Sequence, residues 1–474
     1  MSETPCIGPS RREWLRRAAG GFGSIALNAM LADLARAESG SGAADPLAPR
    51  PGHFPARAKR VIFLYMTGGV SHVDSFDPKP RLVADGGAGK TIGVDNFQGK
   101  PGAFTMYLKR PQFAFKPGGA CGTEVSDLFP CVRSVADDLC VIRSMTSDHT
   151  NHYEGTLGMH TGSFSFARPS LGAWVSYGLG TENRDLPSFI AVAPRVPYAG
   201  SQTWGSDFLP GFHQGTHIVP GPEPIANLRR RVPSDVLQEL ELGMVAVANR
   251  RHLDARASDP LLEARIKSFE TAFGMQREAP EAFDLSKESD ATHALYGLER
   301  GRTQGFAWQC LVGRRLAERG VRFIELIDTG SSHNWDAHGN MLDHVPLALN
   351  VDRPIAGLLK DLKSRGMLDE TLIVWTTEFG RTPYNAQPGA TGREHHHQCF
   401  SSWLAGGGVK GGIVHGATDE HGVAVAEGRV HVHDFHATIL HLLGLDHERL
   451  TYRHAGRDYR LTDVSGRVVR EILA

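Results

Sequence analysis

Short uninterrupted apolar runs recur along the chain, each ending in a turn rich in Gly, Asp or His. Longer stretches between them carry apolar residues three to four apart. The runs Arg60 to Met66 (RVIFLYM), Leu139 to Ile142, Ser188 to Val192, Val321 to Ile327 (VRFIELI) and Leu372 to Trp375 read as buried strands. Helical spacing predicts helices over Val125 to Val135, His152 to Met159, Ser170 to Gly178, Val232 to Met275, Thr303 to Arg319, His344 to Ser364 and Val432 to Leu443. Leu82 to Gly119 is broken by Gly and Pro and predicts an irregular excursion. The C-terminal stretch reads as a hairpin or short strand followed by a helical turn. Strands alternating with helices predict an α/β fold with a doubly wound, mostly parallel sheet and helices on both faces. No internal repeat is visible.

The polar residues that follow the strands change the picture from scaffold to chemistry. Asp74 follows the first strand, and Ser147, Asp148, His149, Thr150, Asn151 and His152 follow the second. The strand at Val321 ends in DTGSSHNWDAHGN, with Asp336 and His338, and the strand at Leu372 ends at Glu378, close to Arg381. A loop then carries Arg393, Glu394, His395, His396 and His397, ahead of a further apolar run, CFSSWLAGGG. Open α/β sheets bind ligands beyond the carboxyl ends of their strands, so these groups are expected to meet on one edge. Carboxylates and imidazoles brought together suit a divalent cation. Asp74, Asp336, His338, Glu378 and His395 are the candidate ligands. Thr150 and Ser147, just ahead of a helix, are candidate nucleophiles or plain caps, and the same helix start favours an oxyanion. His149 and His152 are candidate proton donors. Arg381 and Arg393 are candidate anion forks or salt-bridge partners.

Charge narrows the partners. The chain has 51 basic and 52 acidic side chains among 474 residues, which leaves no broad basic footprint for nucleic acid. Its 23 histidines cluster at element ends, in keeping with metal or proton chemistry. Six cysteines without a C-x-x-C pair exclude a zinc ribbon and a thioredoxin-type site. Ser10, Arg11, Arg12, Glu13, Trp14, Leu15 and Arg16 resemble a twin-arginine export pattern. A weakly apolar stretch and Ala35-Arg36-Ala37 follow, the latter an A-x-A cleavage site. Residues 1–37 are thus expected to be a signal read by the twin-arginine translocase, residues 38–58 a linker, and residues 59–474 one domain, periplasmic or secreted. No other run is apolar for about 18 residues, so no membrane span is expected in the mature chain.

The segments GGVSHVDSFDPKP, SDHTNHYEGTLGMHTGSF, NWDAHGN, EFGRTP, GREHHHQCFSSWLAGGGVKGG and GATDEHG, with the C-terminal VHVHDFHATILHLLGLDHERLTYRHAGRDYRLTDVSGRVV, together resemble the domain-of-unknown-function family numbered 1501. That family lies within the alkaline phosphatase-like superfamily, which also holds the sulfatases. The resemblance covers nearly all of the mature chain and implies an alkaline phosphatase-like core. It also implies one or two divalent cations (zinc, manganese, calcium or magnesium) and a phosphate or sulfate ester substrate, small or polysaccharide. By position Asp74, Asp336, His338, Glu378 and His395 resemble the superfamily's ligands. The family pattern has Asp where Glu394 stands, and Glu378-Phe379 replaces the superfamily's Asp-His pair. No C-x-P-S-R or C-x-P-x-R signature occurs, which excludes a formylglycine nucleophile. Two functions follow as expectations: an exported metal-dependent ester hydrolase, or a non-catalytic exported binding protein on the same fold.

Overall fold

The structure is a computed structural model that describes residues 45–474 apart from residues 88, 96–100, 227, 229–233 and 257–258. The twin-arginine segment and residues 38–44 of the linker lie outside the described residues. The chain divides into two compact units, Met1–Pro46 with Arg229–Lys267 and Leu47–Leu228 with Ser268–Ala474. Within the first, the described residues include the helix Asp235–Asp254. The second carries the sheet and every candidate site residue.

Nine strands form the main sheet among the described residues: β1 (Arg60–Met66), β2 (Leu139–Thr146), β3 (Phe189–Val192), β4 (Thr216–Ile218), β5 (Phe323–Asp328), β6 (Thr371–Thr376), β7 (Phe400–Ala405), β8 (Ile413–His415) and β9 (Val430–His431). Their order is β8-β2-β7-β6-β1-β5-β3-β4, with β9 also on β2. All neighbouring pairs are parallel except those of β7, which runs against β6 and β2. The sheet is therefore mostly parallel, as the alternating pattern predicts.

Both faces are covered, which is why the strand sequences read as continuous apolar runs. Along β1, Ile62, Leu64 and Met66 pack in one core with Trp308 and Leu311 of one helix and Leu358 and Leu359 of another. Val61, Phe63 and Tyr65 pack in a second core with Trp174, Val175, Phe435 and Ile439. Alternate side chains point to opposite faces of a strand, so one short sequence serves two helical layers. The helices are α1 (His152–Thr161), α2 (Leu171–Leu179), α3 (Phe306–Glu318), α4 (His344–Ser364) and α5 (Val432–Leu442).

Three stretches differ from the sequence expectation. Val125 to Val135 is not one helix, because Pro130 opens a new element: a strand ends at Ser126 and a four-residue helix spans Pro130–Arg133. The Gly/Pro-broken excursion contains a helix, Pro80–Asp85, and an antiparallel pair, Gly89–Asp95 with Pro101–Leu108. The cap of α1 is Asn151, whose side chain accepts from the Tyr153 N–H, rather than Thr150 or Ser147. Cys121, Cys131, Cys140, Cys310 and Cys399 are all free thiols. No helix of the described residues is long and apolar enough to cross a membrane.

Candidate metal centre

Parallel strands present their carboxyl ends on one edge, and the loops beyond β1, β2, β5 and β6 meet there. After β1 the chain turns through Thr67 and Gly68. Gly68 has φ +115°, and a Cβ there would lie 2.7 Å from the Trp335 backbone nitrogen. The tight turn lets the loop after β5 settle onto it, with Trp335 N–H donating to Thr67 O at 3.0 Å. Asp336 is thereby held over the strand ends. A two-stranded ribbon completes the site: Gly380 pairs with His396 and Arg381 with His395. Alternation along that ribbon sends His395 toward Asp336 and His396 away from it.

Asp336 is the hub. Its Oδ1 lies 2.8 Å from His338 Nε2 and 3.1 Å from His395 Nε2, and it also accepts from Arg381. Its Oδ2 lies 3.3 Å from His152 Nε2. The three imidazoles share one feature: each has its Nδ1 engaged by an acceptor. His152 Nδ1 donates to Glu378 Oε1 at 2.8 Å, His338 Nδ1 to Glu394 Oε2 at 2.8 Å, and His395 Nδ1 to the Thr150 carbonyl at 2.6 Å. An Nδ1–H fixed in this way leaves the neutral ring with an Nε2 lone pair, the form that ligates metals. All three Nε2 atoms face Asp336 and one another, with His338 Nε2 and His395 Nε2 only 3.0 Å apart.

Without a cation such an arrangement needs extra protons. Asp336 is driven far below the usual carboxylate range: burial opposes its charge, but His152, His338, His395 and Arg381 overcome that penalty. Hydrogen bonds to Asp336 and Glu394 push His338 up to about 9. For His152 burial favours the neutral ring, yet the two carboxylates outweigh it and raise the pKa. Burial lowers the His395 pKa below that of a free imidazole, against the pull of Asp336.

A divalent cation fits these residues. His152, Asp336 and His395 each offer a ligand atom, and the three atoms lie within 4.8 Å of one another. Ligands at zinc's usual bond lengths sit about 3.4 Å apart in a tetrahedron, close to the separations here. His152 Nε2 is buried and has no hydrogen-bond partner: the approach to Asp336 is near in distance and poor in alignment. His338 flanks the same carboxylate and offers a third imidazole nitrogen.

The remaining candidates go elsewhere. Asp74, expected among the ligands, is fully buried in an ion pair with Arg393 (Oδ2 to Nε, 2.6 Å) and also binds Ser71 Oγ and the Gln112 N–H. Arg393, a candidate anion fork or salt-bridge partner, is the latter, and spends its other nitrogens on the carbonyls of Thr382, Lys109 and Arg110. Arg381 is likewise buried, donating to the carbonyls of Gly68, Gly69 and Arg393 besides Asp336. Glu378 lies behind His152, accepting from the Gly68 N–H at 2.8 Å. Burial would raise its pKa, but the bond from His152 and lesser contributions hold it below the usual value. Glu394, the long carboxylate where the family pattern has Asp, reaches His338 from outside. His149 is exposed on the rim, its Nδ1 accepting from the Asn151 N–H at 3.1 Å. Ser147 keeps a buried hydroxyl without a partner, while its N–H donates to His397 O. Sequence reasoning missed Tyr198, stacked on His152 at 4.1 Å with its hydroxyl accepting from Asn334, and Phe379, which packs on His152 and His395. Phe379 directly follows Glu378, a signal in plain view. Tyr198 carries no such local signal.

A family model described as "Protein of unknown function (DUF1501)" matches residues 58–473. No curated protein sequence matches the chain. Solved structures similar to it include the lipoteichoic acid synthase LtaP from Listeria monocytogenes, at 10% identity over 88% of this chain and 78% of that one, with a TM-score of 0.35. Another is alkaline phosphatase from the Antarctic bacterium TAB5, at 11% identity over 82% of this chain and 99% of that one, TM-score 0.33. A third is the phosphonate monoester hydrolase SpPMH from Silicibacter pomeroyi, at 11% identity over 73% and 71%, TM-score 0.33. These likenesses are distant, and the functional reading rests on the side chains.

Proposed function

The chain belongs to the DUF1501 family, and from that premise we propose that it is an exported, metal-dependent hydrolase of phosphate or sulfate esters. One observation carries the reading: three imidazoles, each with Nδ1 held by an acceptor, turn their Nε2 atoms on a single carboxylate, Asp336. Three lone pairs so arranged repel unless protons or a cation stand between them. His152, Asp336 and His395 hold the cation, with His338 at the open side. A divalent cation supplies Lewis-acid polarisation of an ester oxygen. Thr150, whose carbonyl fixes His395, supplies the attacking hydroxyl, with Ser147 the second candidate. The hydroxyl gives up its proton to solvent as the new oxygen–phosphorus or oxygen–sulfur bond forms and the ester bond breaks. The departing alkoxide takes a proton, and water then cleaves the phospho- or sulfo-enzyme, releasing phosphate or sulfate and restoring the hydroxyl. His149 and His338, on the solvent side, are the imidazoles disposed to protonate the alkoxide.

A specific observation supports the non-catalytic alternative. Both arginines that might bind the equatorial oxygens are consumed by carbonyls and carboxylates. Assay of zinc- or manganese-loaded protein on an aryl phosphate and an aryl sulfate separates the two. Turnover that falls at least a hundredfold in Asp336→Asn and His395→Ala supports the hydrolase; metal binding without turnover supports the binding protein. Export is tested separately: Arg11→Lys with Arg12→Lys should strand the precursor in the cytoplasm.

A further inference from the structure

Beneath the histidine cluster lies a buried chain of titratable groups that ligand binding does not use. Glu325 sits in the middle of β5, beside Phe63 of β1, and is fully buried. Its Oε1 lies 2.6 Å from His160 Nε2 on α1, and His160 Nδ1 donates to the Thr156 carbonyl at 2.7 Å. That short contact ties two buried side chains together, and Glu325 Oε2 has no partner. The ring of Tyr65 meets the His160 ring edge-on at 4.4 Å. Tyr65 OH lies 3.0 Å from Glu378 Oε2 and 3.1 Å from Thr156 Oγ1, and its proton goes to the carboxylate, the acceptor with nothing to donate in return. Glu378 Oε1, the other oxygen, takes the proton of His152 Nδ1.

A buried ion pair is weak support for stability, since apolar side chains of the same volume often serve as well. Its geometry here has a different consequence. His160 walls one side of the Tyr65 ring, and Thr156 is tied both to His160 and to Tyr65. The phenol can reach Glu378 only with its ring in this place. Without that bond, Glu378 is held at Oε1 by the Gly68 N–H and at Oε2 only by the Thr377 hydroxyl, which also lies 2.7 Å from the Met66 carbonyl. The Glu378 carboxylate could then turn away from His152.

We propose that Tyr65, braced by the His160–Glu325 pair, is a positioning residue that fixes Glu378 and, through it, the Nδ1–H tautomer and ring orientation of His152. The importance of that tautomer rests on the metal-centre reading, but the test does not. Protein labelled with 15N-histidine, with the His152 signals identified by their loss in His152→Gln, reports the tautomer directly. Without added metal, at a pH high enough to keep the His152 ring neutral, the wild type should show a single Nδ1–H form. Tyr65→Phe, which deletes one oxygen and keeps the ring, should lower the tautomer ratio at least tenfold. The double variant Glu325→Leu with His160→Leu should do the same while keeping or raising the melting temperature. Zinc affinity should fall about 10–100-fold in both, the usual effect of losing a partner behind a ligand. A wild-type tautomer ratio in both variants overturns the proposal, whatever happens to zinc. A shifted ratio in a protein that binds no zinc supports the positioning role and sinks the metal-centre reading instead.

Discussion

His395 and His396 are consecutive, lie on one two-residue strand, and belong to two different worlds. His395 points its Nε2 at Asp336, close to His338 and His152. His396 points its Nε2 at the Val423 carbonyl, 2.8 Å away, beside Cys399 Sγ at 3.3 Å and the stacked ring of His72. His72 in turn reaches the Gly422 carbonyl at 3.0 Å. In the second cluster the protonated nitrogens meet backbone oxygens, so each proton has a fixed place and the rings are internal props. In the first cluster the nitrogens meet one another, a carboxylate and the Arg381 guanidinium, and a proton or a cation suits the space between His152, His395 and Asp336. The comparison teaches that residue type and proximity do not define a metal site. What the second ring nitrogen binds, and what the first one then faces, does.

The largest expected effect breaks the prop cluster with acid. Burial lowers His72 to about 4 and His344, His396 and His436 to about 3. Each folded pKa lies below that of the free imidazole, so the folded state binds fewer protons in the interval between them. The stabilisation is complete above pH 6.5 and is lost as pH falls toward the folded values. By pH 5 each of the four costs about 2 kcal/mol, together comparable with the whole stability of a domain. Circular dichroism against pH should therefore show unfolding between about pH 6 and 5, steeper than carboxylate protonation alone would give.

Next in size is the buried pair that the sequence reading had assigned to the site. Arg393→Ala leaves Asp74 charged and fully enclosed, at a cost of about 3–5 kcal/mol. Urea denaturation should register that loss, and the equivalent measurement on Arg381→Ala should give less, because its partner Asp336 keeps some access to water.

How far this was legible in the sequence follows from what is local. An apolar run with an acid or histidine just past its end is a local signal, and it led correctly to the strands and to the edge where Asp336, His338 and His395 meet. The choice of partner is not local. Asp74 and Arg393 are 319 positions apart, and Glu378 and His152 are 226 apart. Nothing near either residue announces the pairing. Which of the three consecutive histidines turns inward depends on the register of a two-residue ribbon against Gly380 and Arg381, which spacing alone does not encode. The reversed direction of β7 escaped for the same reason: its sequence, buried on both faces, looks like that of its parallel neighbours.

Smaller effects sharpen the contrast between the adjacent histidines. In chelator, His396→Ala should lose about 2–4 kcal/mol through a cavity and an unmet carbonyl. His395→Ala should lose about 1 kcal/mol or less, because it removes one member of a crowded, proton-demanding set. Thermal melts of both variants beside the wild type check the order.

The central claim is that the Nε2 cluster, and not the neighbouring prop cluster, is the metal centre. Its most direct test is a calorimetric titration of zinc into chelator-stripped wild type, His395→Ala and His396→Ala. One site per chain is expected in the wild type and in folded His396→Ala, with protons released on binding, and at least a hundredfold weaker binding in His395→Ala. Zinc at a hundred times the wild-type dissociation constant should add about 2.7 kcal/mol to the stability of the two binders and about 0.4 kcal/mol or less to His395→Ala. Equal zinc affinity in His395→Ala and wild type, or loss of binding in His396→Ala alone, would contradict it.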